Sequence, residues 1–437
     1  MKVAIIGAGW AGMAAAIGAS QAGHSVTVLE AARTLGGRAR AVAATNTDGS
    51  ALTLDNGQHI LIGAYQECQR LMRVVGVDPQ AAMLRVPLSL KFPDGTGLQL
   101  SDLAPPWDAL FGIAFAKGWT VHERFALLQR ASLWRIRGFQ CKSGESVADL
   151  CAGLPPKLLQ EFIDPLCISA LNTVAAESSG RVFLRVLKDS LFSGKGGSNM
   201  LLPRVDLSEL FPAAAGRWLR AKGHHVLPGY RVQNVRRLQP GEESGTWAVD
   251  EVGFDAVVLA TPAHESARLV ALAADSCNSG TTSMYDWARR AQSLEFAAIA
   301  TVYASTANRE SAGLKAPVLA LRSQVDRPAQ FVFDREHLGG PAGLLAFVVS
   351  AFEGSRDELS EQVLLQAREQ LGLADLRHVQ TVVEKRATFK CTPDLVRPSM
   401  QIAPGLFACA DFVDGPYPAT LEGAVLQGTA AAQLLGA

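Results

Sequence analysis

Gly7-Ala-Gly9-Trp-Ala-Gly12 follows an apolar run, Lys2-Val-Ala-Ile-Ile6, and opens an alanine-rich stretch. A second apolar run, Ser25-Val-Thr-Val-Leu29, then ends on Glu30. Glycines at this spacing between a strand and a helix let backbone N–H groups close on a pyrophosphate. Gly7 makes the turn out of the strand, Gly9 admits the phosphates, and Gly12 lets the helix pack close to the sheet. The helix N-terminus adds unpaired N–H donors and the positive end of its dipole. Glu30 can accept hydrogen bonds from a ribose diol, and its charge would repel a 2′-phosphate. The unit reads as βαβ and binds a dinucleotide. A secretory leader also begins with a lysine and an apolar stretch. Four glycines in the first eighteen residues suit a turn and close packing better, and cleavage would delete the nucleotide site.

Other segments carry compatible chemistry. In Leu35-Gly36-Gly37-Arg38-Ala-Arg40, Gly37 permits close backbone approach and Arg38 can form bidentate bonds to a pyrophosphate. An ordinary Gly-Gly turn followed by solvated arginines is the plainer reading. Leu52-Thr-Leu54 ends in Asp55-Asn-Gly57-Gln58-His59, a strand end suited to a cofactor ring approached by backbone. His59 is equally readable as a structural histidine. Tyr230-Arg-Val232-Gln-Asn-Val235 and Phe254 to Leu259, the latter ending in Ala260-Thr261-Pro262, suit the adenosine half. Gly405 to Asp411 is an apolar strand whose terminal carboxylate can bond a ribityl hydroxyl. Thr420-Leu421-Glu422-Gly423-Ala424 opens the last helix, whose dipole would stabilise a reduced isoalloxazine.

These segments need a large scaffold. At 437 residues the chain has room for two or three domains. Its 41 basic and 41 acidic residues cancel, which gives no reason to expect nucleic acid. The composition is 48% hydrophobic, yet no apolar run reaches the roughly eighteen residues of a membrane span. Seven cysteines without C-x-x-C pairs or zinc spacing read as reduced, and no metal site is expected. The expected class is α/β. A Rossmann-type FAD-binding domain is assembled from residues 1–85, 206–265 and 376–437. An α+β substrate or cap domain comprises residues 86–205 and 266–375. Within the cap, His122 to Arg137 is helix-like and mixes aromatic with basic residues. It reads either as a cap helix with a solvated basic edge or as a surface that meets a membrane.

The N-terminal fingerprint, Gly36-Gly37-Arg38, Ala260-Thr261-Pro262 and Asp411 with Glu422-Gly423-Ala424 resemble the FAD-dependent amine oxidase and phytoene desaturase superfamily. Three stretches resemble its hydroxysqualene dehydroxylases, formerly squalene-associated FAD-dependent desaturases of bacterial hopanoid pathways. They are Asp55 to Tyr65, Ala170-Leu-Asn172-Thr173 with Phe183-Leu-Arg185, and Gly197 to Asp206. The resemblance spans nearly the whole chain. One departure stands out: Ala410 precedes Asp411 where such flavoproteins usually carry glycine.

The resemblance implies that reduced FAD converts hydroxysqualene to squalene and water. The hydroxyl is allylic and leaves poorly, so a general acid should protonate it before hydride arrives from flavin N5. His59, Tyr65 and Asp164 are the candidate acids. The pocket should be apolar and dry, because water would recapture the cation. Two rivals stand beside this: a carotenoid-type desaturase or amine oxidase of the same fold, and a non-enzymatic prenyl-lipid carrier. The carrier would have no use for Glu30, Arg38 and Asp411 together. The expected partners are an isoprenoid substrate, an electron donor for FAD and upstream squalene-pathway enzymes. The expected location is the cytoplasm, with peripheral contact on the inner face of the cytoplasmic membrane.

Overall fold

A computed structural model describes residues 1–239, 245–277, 280–306 and 313–436. Its central sheet has six strands in the order His225–Pro228, Ser25–Glu30, Lys2–Ile6, Ala256–Leu259, Leu406–Ala408 and Gln401–Ala403. The first five run parallel, and Gln401–Ala403 is an antiparallel edge. Val3, Ala4 and Ile5 are fully buried, as expected of a parallel strand covered on both faces. The α/β class and its discontinuous nucleotide-type sheet follow directly from this order.

Helices Trp10–Gln21 and Leu421–Leu434 pack side by side on the sheet. A Cβ on Gly428 would stand 2.2 Å from the Ala11 carbonyl oxygen, so only glycine permits this backbone contact. The first and last helices of the chain are thereby locked together behind the nucleotide fingerprint.

A second, antiparallel sheet has the order Val318–Ala320, Phe331–Asp334, Leu344–Phe352, Phe296–Ser305 and Arg377–Phe389. Alternation along Phe296–Ser305 decides what each face does. Ala300, Val302 and Ala304 pack with Leu359, Val363 and Ala367 of helix Arg356–Leu371. Thr301 and Tyr303 point the other way, and the Tyr303 hydroxyl donates to the Asp55 carbonyl at 2.9 Å. That bond ties the cap sheet to the strand-end loop of the nucleotide side.

Two sequence expectations shift. Arg377–Phe389 pairs with Phe296–Ser305, so residues 376–389 go with the cap sheet and not with the nucleotide unit. Helices Ala263–Asp275 and Thr281–Gln292 leave the cap. Arg268 donates to the Val232 carbonyl at 3.0 Å, and the Trp287 indole donates to the Ser399 carbonyl at 2.7 Å. Residues 207–221 form two helices, Leu207–Leu210 and Pro212–Ala221, because Pro212 can only begin a new helix. All seven cysteines are free. Among the described residues no group of side chains could hold a metal, and no helix is long and apolar enough to cross a membrane.

Candidate functional site

The three fingerprint glycines have different surroundings. Gly7 has φ +109°, and a Cβ there would sit 2.4 Å from the Ala260 carbonyl oxygen. On Gly12 a Cβ would sit 1.9 Å from the Gly7 carbonyl oxygen. Both are packed shut. At Gly9, the N-cap of helix Trp10–Gln21, the nearest atom is the Gly37 Cα at 3.9 Å. This is the concave, side-chain-free cradle that a pyrophosphate requires. Gly36 lies alongside, its N–H donating to the Ala8 carbonyl at 2.9 Å.

Glu30 stands at the rim of this cradle. Its carboxylate accepts from the Ala8 N–H at 2.7 Å and the Ala32 N–H at 2.8 Å. A carboxylate has about four acceptor sites, so each oxygen can still take a ribose hydroxyl. Tyr230 N–H donates to the Glu30 carbonyl at 2.8 Å, which brings the Val232 segment to the same rim. Thr261 is buried there, its hydroxyl 2.7 Å from that of Ser266.

The other half is organised by Arg38. Its guanidinium donates to the Ala387 carbonyl at 2.7 Å and pairs with the Asp411 carboxylate. One side chain thus joins three segments far apart in sequence: the Gly-Gly loop, the cap strand and the last strand end. Asn56 extends the chain of contacts, donating to the Arg38 carbonyl at 2.8 Å and to Glu384 at 3.1 Å. Asp411 gives one oxygen to Arg38, which leaves the other able to accept a hydroxyl. Tyr417 and Ala419 hold φ of 56° and 58°, and this strained turn delivers Thr420 as the N-cap of the last helix. The Thr420 hydroxyl accepts from the Gly423 N–H at 2.9 Å, and Leu421 and Ala424 form the first turn.

Beside Gly57 lies a polar cluster that no local motif announces. Asp55 is 1% exposed; one oxygen accepts from the Leu207 N–H at 2.8 Å and the other has no hydrogen bond. The Arg335 guanidinium stands 3.8 Å from that second oxygen and donates to the Gln58 side-chain oxygen at 3.1 Å. Burial pushes the Asp55 carboxyl up to about 6. The Gln58 amide nitrogen and the Thr301 hydroxyl are buried without partners. A Cβ on Gly57 would lie 3.8 Å from that hydroxyl. Orphaned donors and acceptors are costly unless something fills the space between them. Open cradle, rim carboxylate, ribityl-side carboxylate and orphaned groups beside Gly57 together fit a flavin dinucleotide laid across the junction.

The candidate acids fare unevenly. Desolvation lowers the His59 pKa, and the ring Nδ1 lies 3.0 Å from the Gly57 carbonyl oxygen. That oxygen can only accept, so Nδ1 carries the proton and Nε2 presents a lone pair. In that tautomer Nε2 would accept a proton. Tyr65 meets Tyr417 edge-on at 6.3 Å, and burial raises its phenol, which keeps it protonated. Asp164 is exposed on a cap helix that follows a π-turn at Leu159–Ile163; desolvation raises its carboxyl, and no contact ties it to Gly57. Glu422 also has an internal role. Its two oxygens accept from the Glu67 and Cys68 N–H groups at 2.9 Å each, so its side chain also caps helix Gln66–Val74. The sequence missed Thr301, on cap strand Phe296–Ser305, and Arg335, just after cap strand Phe331–Asp334, both hundreds of residues from Gly57. Asp55 was legible as a polar strand end but not as a buried proton holder.

Known proteins agree with this geometry. The family model for flavin containing amine oxidoreductase matches residues 10–435. A hydroxysqualene dehydroxylase of Sinorhizobium fredii is 25% identical, covering 99% of this chain and 98% of its own. One from Rhodopseudomonas palustris is 26% identical, with 99% and 98% covered. A solved oxidoreductase from Methanosarcina mazei superposes with a TM-score of 0.70 at 18% identity, covering 99% of this chain and all of its own. That likeness speaks for the fold. The chain is thus an FAD-dependent oxidoreductase and belongs to the flavin containing amine oxidoreductase family.

Proposed function

We propose that the protein reduces hydroxysqualene to squalene and water. The balance is an allylic alcohol plus a proton plus a hydride, giving a hydrocarbon and water. Reduced FAD, when bound, would supply the hydride. The substrate assignment rests on end-to-end similarity to two hydroxysqualene dehydroxylases. The observation that carries the site is the set of unpartnered polar atoms beside Gly57, on Gln58, Thr301 and Asp55.

In this reading Gly9 and Gly37 accept the pyrophosphate, Glu30 and the Val232 segment hold the adenosine half, and Asp411 with Arg38 fixes the ribityl chain. Gly57, Gln58 and His59 lie against the ring, with Thr420, Leu421, Ala424 and the Glu422 backbone at its far edge. The Gln58 amide can donate to the departing hydroxyl. Tyr65 and Asp164 stay candidates for the acid, and Asp55 joins them as a buried carboxyl beside Arg335. The two-unit division is retained, with the third nucleotide segment beginning after Phe389 and residues 263–292 included. A separate electron donor must reduce FAD, since the chain has no second nucleotide fingerprint. The substrate's insolubility makes peripheral membrane contact part of the same reading.

An amine oxidase is the second reading, because Tyr65 and Tyr417 make an aromatic pair. Against it, the Arg185 guanidinium stands 5.5 Å over the Tyr417 ring, and a fixed cation there repels an ammonium substrate. The test is a panel. Oxidised holoprotein is mixed with an amine or a polyene, and photoreduced holoprotein with hydroxysqualene, all without oxygen. Return of the oxidised spectrum only in the third mixture supports the proposal. Bleaching in either of the first two overturns it.

A further inference from the structure

Large apolar side chains exposed on this protein concentrate on two neighbouring cap helices. On Trp107–Ala114 and the residue after it, Trp107, Phe111 and Phe115 are 57%, 44% and 74% exposed and recur at helical spacing. On Val121–Ile136, Val121, Phe125 and Ile136 are 80%, 65% and 83% exposed, again on one face. The opposite face of that helix is already satisfied, because Leu127 and Trp134 are buried in the core. The outward stripe is thus a second apolar face and not the core-facing one. Arg124 donates to the Ala114 and Ala116 carbonyls at 2.9 and 2.8 Å, which fastens the two helices together. The Phe111 and Phe115 rings stack 6.1 Å apart at an interplanar angle of 5°.

Charge says what covers this surface. Residues 103–142 hold six Lys or Arg and two Asp or Glu, in a chain balanced at 41 of each. Of those two acids Asp108 is 2% exposed, and Glu123 is engaged in the capping box of its own helix. Lys117, Arg135 and Arg137 flank the apolar stripes. A second copy docking here by two-fold symmetry would set like-charged rims against each other. An aromatic face with a basic border instead matches the interface of an anionic bilayer.

We infer that helices Trp107–Ala114 and Val121–Ile136 seat the protein on an anionic lipid surface, the aromatic stripes entering the headgroup boundary and the basic border holding the phosphates. This deepens the membrane part of the function proposed above. It is read without turnover, so its failure would leave the dehydroxylation proposal standing.

The test is flotation of full-length holoprotein with phosphatidylcholine vesicles, with or without roughly 30% phosphatidylglycerol. Binding should appear with the anionic vesicles, fall about tenfold on neutral ones, and weaken as salt is raised. Phe115→Ser with Phe125→Ser and Ile136→Ser should abolish it, at about tenfold per inserted side chain lost, with flavin spectrum and helix content kept. Lys117→Glu with Arg137→Glu should remove the anionic preference. Wild-type protein that never floats, or a triple variant that floats like wild type, overturns the inference. A triple variant that changes oligomeric mass while lipid binding stays unchanged also overturns it, and makes the face a contact between copies.

Discussion

Adding one methyl group to two glycines of the same fingerprint should give opposite outcomes. Gly9 has φ −73° and ψ −178°, which any residue adopts, and a Cβ there meets only the Gly37 Cα at 3.9 Å. Gly9→Ala should therefore leave the apoprotein intact. It should even gain about 0.4–1 kcal/mol, because the unfolded chain loses freedom. The methyl group, however, fills the cradle meant for the pyrophosphate. Two charge-assisted hydrogen bonds lost there, at about 1.5–3 kcal/mol each, weaken FAD binding by a hundredfold or more. In Gly12→Ala the added carbon lies 1.9 Å from the Gly7 carbonyl oxygen, so backbone must move by roughly 1 Å in a close-packed region. That variant should lose stability and FAD together. The assay is urea unfolding of both apoproteins beside FAD titration followed by flavin fluorescence. If Gly9→Ala keeps wild-type affinity for FAD, the cradle has been placed wrongly. If it unfolds like Gly12→Ala, the roles assigned to the two glycines are wrong.

Three further outcomes follow. Arg38→Met leaves the Asp411 carboxylate, 8% exposed, without its partner. Since Arg38 is itself 33% exposed, the loss should be about 2 kcal/mol, below the 3–5 of a fully buried pair, with FAD retention falling in parallel in a thermal-shift series. Asp55→Asn tests the buried carboxyl by its pH dependence. The folded value of about 6 lies above the ordinary 3.8, so between those values the folded protein keeps a proton that the unfolded chain releases. Wild-type stability therefore falls as pH rises through this window and levels off above about 6. The variant should gain up to about 3 kcal/mol relative to wild type between pH 4 and 7, and a pH-independent difference in urea unfolding would count against it. Glu422→Gln should lose one of two caps on helix Gln66–Val74, costing about 1–3 kcal/mol, while FAD affinity stays at the wild-type level.

The parts of the site legible in sequence are those fixed by short-range geometry. Gly7, Gly9, Gly12 and Glu30 are set by one strand–turn–helix–strand unit, so their spacing alone gave their places in it. Asp411 and Thr420 were equally readable, as a strand end and a helix cap. What escaped depends on which cap residue arrives opposite a given loop. Thr301 faces Gly57 because of the alternation of one cap strand, and Arg335 reaches Asp55 and Gln58 across 280 and 277 positions of sequence. The cap that Glu422 makes was hidden for the same reason. A carboxylate in the first turn of a helix suits a cofactor, and here it also caps the start of helix Gln66–Val74. Strand Arg377–Phe389 was assigned to the wrong unit because its long alternating pattern carries no mark of the sheet it joins.

The most direct trial of the account is a single turnover. Holoprotein with its FAD photoreduced under anaerobic conditions is mixed with a limiting amount of hydroxysqualene, and squalene is quantified against the flavin absorbance that returns. The account expects one squalene per flavin reoxidised. Reoxidation without squalene, or a flavin that stays reduced while hydroxysqualene is recovered intact, would contradict it.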